Sequence, residues 1–577
     1  MHKWLARVEG VNFSATILDT NDLSTIRGGG LALLYFHEVV EQALEKIEGK
    51  GREQIYAGAS QCAYVFTRGG DEQAITDALR KAIDENVRDR AERKDRDAPP
   101  FHWLMTVVDV VHFAGEAGPD PLASCERRTL ECAEARNHAR QFRQWTVAPI
   151  AFNGWAKDAD PLDRISPATL PAYFPKGKFG ETGASHEEDA FGDADSGKFD
   201  LHPVAPSVFA RREYGRRNRQ KFYGRMLQGK MPQNFLHAGP PLRFTDDLQA
   251  MVAAPQGVNG LSLKNKIAVV YADGNKFGAL VKKPGVSIKE FSAWINLKRN
   301  DLLAAVLEWH ARGAGGENYQ PFAILGTFDR SVVKRCRFET ILWGADELAF
   351  VMPSWLATAF VEGFFAVTRA WPAFHGDKIT HALGVAIGDR KTPIRQLRAI
   401  AKHAADAAKD ATLGDRQPLR EHDSVTFEIF ESLAPPDDDL AAWRASLYGD
   451  GPQLKALPLH LALPGGAFGA AIEAMRHLTA KFPRSQVYSA LRKLREERVA
   501  LTDPGADGWV NDAIDGYLRG AGADKGFTNA TLTLPAVAGI HRGAALDLAL
   551  VATLWDYADP FAGQLPKFGA PAGKARP

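Results

Sequence analysis

Asp346 and Glu347 stand side by side in the stretch TILWGADELAFVMP, after Gly344 and Ala345 and between two apolar runs. A third acid, Asp273, closes the apolar run KIAVVYAD. Apolar runs around a short Gly-containing turn read as a hairpin, and a strand lying beside it brings Asp273 toward the acids at the tip. Three carboxylates gathered there repel one another unless a cation sits among them. Hard oxygen ligands at a polar cleft suit Mg2+ or Mn2+, which share such ligands with substrate phosphates. Ions held this way serve phosphoryl or nucleotidyl transfer, activating a hydroxyl and stabilising a leaving pyrophosphate. Asp273, Asp346 and Glu347 are therefore the expected catalytic metal ligands. The bland alternative is a solvated hairpin turn.

Neighbouring residues extend the expectation to a nucleotide. Gly274, Asn275, Lys276 and Phe277, in DGNKFG, lead out of a strand in a short turn whose N–H groups are placed to receive a triphosphate. Gly344 and Ala345 keep the hairpin tip free of bulk, so that a nucleotide can lie over it. In RAIAKHAADAAKDA, Ile400, Ala404 and Ala408 face inward and leave Lys409 at the helix end. There it either reaches phosphates or complements the helix C-terminus, and the spacing does not choose.

The elements that must position these residues follow a readable order. KIAVVYAD is a strand, SIKEFSAWINLKRNDLLAAVLEWHAR a helix, FETILWG and LAFVMP the hairpin, SWLATAFVEGFFAVTRAW a helix and ITHALGVAIG a strand. A further helix opens with Thr392 as N-cap and Pro393 at its first position, and SVTFEIF closes the unit as a strand. Earlier in the chain the order occurs once before. VNFSATILD reads as a strand, GGLALLYFHEVVEQALEKIEGK as a helix, QIYAG and CAYVFT as a strand pair, DEQAITDALRKAIDENVRDRAERK as a helix and FHWLMTVVDVVHF as a strand. This is the β-α-β-β-α-β, ferredoxin-like unit, present twice. Laying TILDTNDLS over VVYADGNKFG pairs Asp19 with Asp273, Asn21 with Asn275 and Leu23 with Phe277. Laying IYAGASQCAYVF over ILWGADELAFVM pairs Gly58 with Gly344, Ala59 with Ala345, Ala63 with Ala349 and Val65 with Val351. Ser60 and Gln61 then face Asp346 and Glu347, so only the second copy keeps its acids.

A chain of 577 residues is too long for one core. The expected fold is α+β: a first unit over 1–119, an inserted linker region over 120–245, a second unit over 246–434 and a helical region over 435–577. With 71 Lys+Arg against 70 Asp+Glu there is no global pull toward nucleic acid or membrane. Cys62, Cys125, Cys132 and Cys336 are too scattered for a disulfide framework and suit a reducing cytoplasm. The start MHKWLARVEGVNF lacks a signal-peptide pattern, and no apolar run has the length of a membrane span. KGKFGETGASHEEDAFGDADSGKFD and the tail KFGAPAGKARP read as loose polar segments. Cys125, Cys132 and His138 are spaced too widely for a compact zinc pair and read as part of a zinc-free helix. RREYGRRNRQKFYGR, residues 211–225, is a concentrated basic run with Tyr214, Phe222 and Tyr223. It suits single-stranded nucleic acid or phosphate, or a solvated helix gripping a neighbouring acidic surface; the balanced overall charge favours the second.

With those residues in hand, the chain resembles the palm-domain nucleotidyl cyclases (the GGDEF-like superfamily). It resembles above all the large polymerase/cyclase subunit of type III CRISPR effector complexes, which carries two palms in one chain. The family's first-strand motif appears as YADGNKFG and its Gly-Gly-Asp-Asp hairpin as WGADELAF, leaning toward the Gly-Gly-Asp-Glu form of diguanylate cyclases. DLSTIRGGGLALL and ALGVAIGDRKTPIRQLRAIAKHAADAAK add to the likeness.

The resemblance implies a cyclase with metals on Asp273, Asp346 and Glu347 and with Lys409 on phosphate. It also implies a second nucleotide pocket in the first palm, with Arg27, Gly28 and Gly29 near phosphates and with Asp19 and Ser60 at the degenerate site. A 3′-hydroxyl would attack a neighbouring α-phosphate, making a cyclic nucleotide or oligonucleotide messenger from nucleoside triphosphates, ATP first, in antiviral defence. Implied partners are RNA or RNA-guided proteins, with no membrane. Three departures stand out: Asn275 replaces a frequent aspartate, Ala345 replaces a glycine, and no His-Asp nuclease domain precedes the first palm. His422-Asp423 reads as a loop pair, so DNase activity is not expected. The alternatives are a non-catalytic palm scaffold or nucleotide sensor in a nucleoprotein complex, and a polymerase, for which no thumb or template channel is legible.

Overall fold

A ten-residue strand, His2–Val11, and a nine-residue strand, Lys266–Gly274, hold the same place in two sheets, and their neighbours repeat. In the computed structural model the described residues are 2–11, 17, 20, 22–58, 60–92, 105–113, 121–143, 168, 170–175, 199–226, 242–245, 248–255, 263–328, 331–344, 346–410, 412–413, 417–418, 422–431, 462–481, 483–497, 499, 505–520, 544–558, 560–561 and 565–568. Asp19, Asn21, Ala59, Ala345, the polar stretch 176–198 and the tail from 569 lie outside them.

The first unit runs β1 (His2–Val11), α1 (Leu23–Leu34), α2 (Phe36–Lys46), β2 (Lys50–Ala57), β3 (Gln61–Arg68), α3 (Glu72–Glu92) and β4 (Met105–His112). Its sheet has the order β2-β3-β1-β4, with β1 antiparallel to both neighbours. Then come α4 (Pro121–Arg143), β5 (Leu170–Pro175), β6 (Phe199–Val204), α5 (Pro206–Met226), β7 (Leu242–Phe244) and α6 (Leu248–Met251). The second unit runs β8 (Lys266–Gly274), α7 (Phe277–Leu280), α8 (Ile288–Gly315), β9 (Ala323–Phe328), β10 (Ser331–Cys336), β11 (Glu339–Trp343), β12 (Glu347–Pro353), α9 (Ala357–Arg369), β13 (His381–Asp389), α10 (Ile394–Asp410), β14 (Thr412–Leu413), β15 (Gln417–Pro418) and β16 (Ser424–Ile429). β17 (Ala462–Pro464), α11 (Gly465–Lys481), α12 (Arg484–Glu496), α13 (Ala506–Gly520) and α14 (Ala544–Leu554) complete the chain. The second sheet reads β11-β12-β8-β13-β16-β17, so its first four strands repeat the order of the first sheet. β16 is parallel to β13, as a crossover through α10 requires. Among the described residues no helix is long and apolar enough to cross a membrane, and Cys62, Cys132 and Cys336 are free.

Three expectations change. The first strand is HKWLARVEGV, residues 2–11, and not VNFSATILD. The hairpin β9-β10, paired with β7, was not anticipated. The basic run 211–225 grips acids of neighbouring elements, as expected, but from a largely buried helix, because α5 packs against α1. Gly28 and Gly215 make that approach possible: a Cβ on Gly28 would overlap the carbonyl of Arg211, and one on Gly215 the carbonyl of Ser24.

The cations of α5 are matched by acids distant in sequence. Arg212 lies 3.6 Å from Asp22, and Arg219 pairs with Glu339 of β11, which also takes Arg27 of α1. Tyr223 stacks on Phe244 at 4.5 Å and Phe222 meets Trp343 edge-on at 6.0 Å. α5 is thus a wedge between the units, and one apolar cluster runs through both.

The placement of α10 depends on a single position. A side chain on Gly384 of β13 would overlap the carbonyl of Ala401, and Ala401, Ala404, Ala405 and Ala408 are fully buried. Small residues on both surfaces let the helix lie directly on the sheet. Gly384→Val is expected to destabilise the chain by about 1–3 kcal/mol or more through overpacking, and to lift α10 from the acids below it. Thermal melting, lowered, checks this.

His310 of α8 is fully buried between Phe322 and Phe338, with neither ring nitrogen hydrogen-bonded. Burial holds its pKa down to about 3, below the unfolded value near 6.5. A depressed histidine stabilises above its unfolded pKa, and that stability is lost as pH falls from about 6.5 toward 3. His310→Phe should therefore flatten the decline of melting temperature between pH 7 and 4, by up to about 1.4 kcal/mol per pH unit in that window.

Candidate functional site

Strand register brings the acids together. β12 and β8 pair antiparallel with Glu347 opposite Asp273, and β13 sets Ala382 against the other side of Asp273. The hairpin closes through Gly344 N–H to Glu347 O at 2.7 Å, and Gly274 N–H donates to Asp346 O at 2.9 Å. Asp346 is exposed at the tip, Asp273 and Glu347 are half-buried, and Gly344 is buried.

Two lysines of α10 meet these acids. Lys409 Nζ lies 2.5 Å from Asp273 Oδ2 and Lys402 Nζ 2.9 Å from Glu347 Oε1. They stand seven residues apart, hence on one helix face, above the small-residue contact at Gly384. Tyr271, two residues before Asp273 on the same face of β8, adds a hydrogen bond to Glu347 and lies beneath the cationic groups of Arg398 and Lys402. Of these, Lys402, Tyr271 and Arg398 were missed in the sequence; the seven-residue step back from Lys409 was the available signal.

Electrostatics separate the three acids. Burial pushes Asp273 up; the hydrogen bond and charge of Lys409 work against it, while Asp346 and Glu347 push it further up. Asp346 has an open surface, yet protein crowds it enough that desolvation, then the charge of Glu347, raises it too. Burial would also raise Glu347, but hydrogen bonds from Tyr271 and Lys402 prevail and hold it below the usual range. Burial and the Glu347 charge push the Tyr271 phenol far up, so it remains a donor.

Asp346 is ion-paired with neither lysine. The charges of Lys409 and then of Arg299 act on it; Arg299 of α8 is a guanidinium 6% exposed that lies 5.7 Å over the Trp343 ring and donates to Asn296. Arg299 Nε and Nη1 have no hydrogen-bond partner. Burial lowers its pKa to about 10, and Asp346 opposes that shift.

The turn DGNKFG offers less backbone than its sequence suggested. Gly274 N–H goes to Asp346, and Asn275 N–H goes to Thr380 O at 2.8 Å. The buried Asn275 side-chain amide donates to Thr380 Oγ1 and His422 O, both at 3.1 Å, so it pins loops together. Lys276, exposed with φ of 59°, leads into Phe277, which is buried against Phe291 and His381. His422 and Asp423 form the loop pair expected just before β16, and the Asp423 carboxylate is buried there and accepts the His381 N–H at 2.9 Å.

The first unit holds the same frame with other contents. Glu9 pairs with Gln61 as Asp273 does with Glu347. Gly10 N–H donates to Ser60 O and Gly58 N–H to Gln61 O, as Gly274 and Gly344 do in the second unit. The counterpart of Asp273 is therefore Glu9 and not Asp19, which lies outside the described residues. Ser60 keeps its expected place opposite Asp346.

Arg7, at the position of Tyr271, lies 2.7 Å from Glu9 and donates to Gln61 Oε1 at 2.9 Å and Tyr56 OH at 3.1 Å. Where Gly384 admits α10, the first sheet has Asp109 opposite Arg7. α4 packs there, with Arg140 Nε 2.6 Å from Asp109. Residues 121–143 thus lie on the first sheet rather than in a separate linker. α4 also reaches the second unit, where Arg127 donates to Lys283 O at 2.6 Å and Val281 O at 3.2 Å, just beyond the DGNKFG turn.

Arg27, Gly28 and Gly29 do not form a phosphate cradle. All three are buried inside α1, with Arg27 bound to Glu339, Gly28 against α5 and Gly29 against Ile17. Cys132 and His138 are exposed on α4, and the Cys125 side chain lies outside the described residues. Among the described residues no group of three His, Cys, Asp or Glu is disposed to close round a metal. At the hairpin the oxygens are hard and clustered, which fits Mg2+ or Mn2+ in type. Two of the three carboxylates, however, already hold lysines.

No protein family and no curated protein matches the sequence. Solved structures do match. The crystal structure of Csm1 in T. onnurineus is 13% identical, with a TM-score of 0.50, covering 96% of this chain and 69% of that one. A chain of the type III-B Cmr-beta cryo-EM structure in the apo state is 9% identical, with a TM-score of 0.51, covering 96% of this chain and 81% of that one. Over 96% of its length the chain shares the fold of these two structures. At these identities the likeness is one of fold.

Proposed function

We propose that the chain is a tandem-palm nucleotidyltransferase. Its second palm joins nucleoside triphosphates, ATP first, into a cyclic nucleotide or cyclic oligonucleotide, and its first palm is the non-catalytic half. The observation that carries this reading is the shared register: one frame sets Asp273 against Glu347 in the second unit and Arg7-bound Glu9 against Gln61 in the first. A fold that closes the same hairpin with Ser60 and Gln61 does not need acids there for stability.

Asp273, Asp346 and Glu347 would hold Mg2+ or Mn2+, which when bound supplies charge stabilisation to the α-phosphate and the leaving pyrophosphate. Lys409 and Lys402 contact phosphate oxygens, and Tyr271 holds Glu347 in place. A nucleotide 3′-hydroxyl displaces pyrophosphate from a neighbouring α-phosphate and loses its proton to solvent. The likeness to Csm1 and to Cmr-beta supports a role in RNA-guided antiviral defence, with partner proteins and RNA as activators.

A nucleotide-sensing scaffold is the second reading, favoured by the lysines that already neutralise Asp273 and Glu347. Incubation with each nucleoside triphosphate and Mg2+ or Mn2+, with and without RNA, followed by mass spectrometry, separates the two. Products whose mass is a whole multiple of a nucleoside monophosphate less one water per nucleotide support the enzyme; nucleotide bound but unchanged supports the sensor.

A further inference from the structure

Resting on the nucleotidyltransferase reading, we infer that Lys402 and Lys409 are displaceable counter-ions that neutralise Glu347 and Asp273 until a nucleoside triphosphate arrives. They then transfer to its phosphates, so that divalent-cation uptake depends on nucleotide. Cations already attend every acid of the site: Lys409 pairs with Asp273 and Lys402 with Glu347, Arg398 adds its charge at Glu347, and Lys409 and then Arg299 add theirs at Asp346. A divalent cation entering alone meets these cations and must strip lysines from their carboxylates, leaving them with no anion. A triphosphate entering with the cation brings the oxygens that the lysines then bind, as charge-assisted hydrogen bonds.

The two lysines are built to move. Their side chains are 40% and 21% exposed, and long flexible stems carry them. The first unit supplies the contrast: Arg7 is 5% exposed and fixed by Glu9, Gln61 and Tyr56 together, a permanent counter-ion that no ligand replaces. Arg299 is the second indication that an anion belongs here. It is more than nine-tenths buried beside the hairpin, and two of its nitrogens have no hydrogen-bond partner. A guanidinium in that position adds to the positive potential that a phosphate chain meets over Trp343 and Asp346.

The test is Mn2+ binding to the full chain, followed by the loss of the free-ion paramagnetic resonance signal. It is run with Mn2+ alone and with a non-hydrolysable ATP analogue, against a protein-free nucleotide control. Nucleotide is expected to tighten Mn2+ binding by about tenfold or more, within the usual range of coupling between sites. The double variant Lys402→Met with Lys409→Met should bind Mn2+ alone about tenfold tighter than wild type and lose most of the nucleotide enhancement. Lys402→Arg with Lys409→Arg, which keeps the charges, should behave as wild type without nucleotide. Equal Mn2+ affinity with and without nucleotide, or no change in the Met variant, overturns the inference and leaves the nucleotidyltransferase reading standing. Absence of Mn2+ binding in every condition overturns that reading, and the inference with it.

Discussion

Asp346→Asn is expected to reduce nucleotide turnover on the order of a thousandfold while leaving the melting temperature unchanged or higher. The activity loss follows from removing a ligand oxygen whose charge stabilisation is worth several kcal/mol, at about 1.4 kcal/mol per factor of ten. The stability gain follows from the sign of the shift. Crowding by protein and then the Glu347 charge raise the Asp346 pKa. The folded state therefore favours the protonated acid, and stability falls as pH rises through the folded pKa. Asparagine removes that loss, so the difference in melting temperature should be larger at pH 8 than at pH 4. Glu347→Gln gives the opposite stability result. Tyr271 and Lys402 hold Glu347 below the usual range against its burial. Its contribution is present above the unfolded pKa and lost on acidification, so glutamine should lower both turnover and melting temperature near neutral pH. Scanning fluorimetry across pH with a turnover assay reads both variants. A drop in melting temperature for Asp346→Asn would indicate a structural acid.

The largest purely structural effect is expected at Glu339. Its carboxylate, 1% exposed, is shared by Arg27 of the first unit and Arg219 of the wedge helix α5. Removing one member of such a buried set is strongly destabilising, by about 3–5 kcal/mol, because the remaining charges keep their desolvation penalty. Glu339→Gln should accordingly lower the melting temperature far more than any single change at the exposed hairpin tip. The same arrangement explains why the resemblance, which implied Arg27 near phosphates, could not show its true partner: that carboxylate lies 312 positions away.

What the sequence made legible was the second unit, where apolar runs, caps and a hairpin agree in one order. Gly344, Asp346 and Glu347 sit at the tip, and Asp273 lies opposite Glu347 as the pattern required. The first unit was legible in its hairpin and helices but not in its first strand. β1 carries Arg7 and Glu9 on a sheet face, and only their mutual pairing and Gln61 make those charges compatible with a central strand. VNFSATILD has the cleaner alternation, so the alignment followed the helix start at Leu23 and passed over a longer connection. Asp19 was paired with Asp273 for that reason. The basic helix was legible as gripping acids but not as buried, because Asp22 and Glu339, which balance it, are distant in sequence. Lys402 was in view but unremarkable until Gly384 set α10 on the sheet.

The central claim is that the second palm makes phosphodiester bonds. Pyrophosphate released from ATP with Mn2+, measured against nucleotide incorporated into product, tests it most directly. Ring closure predicts as much pyrophosphate as nucleotide incorporated, and Asp273→Asn should reduce the release to background. Undiminished pyrophosphate release by the Asp273→Asn variant, or none from the wild-type chain with RNA and partner proteins supplied, would contradict the account.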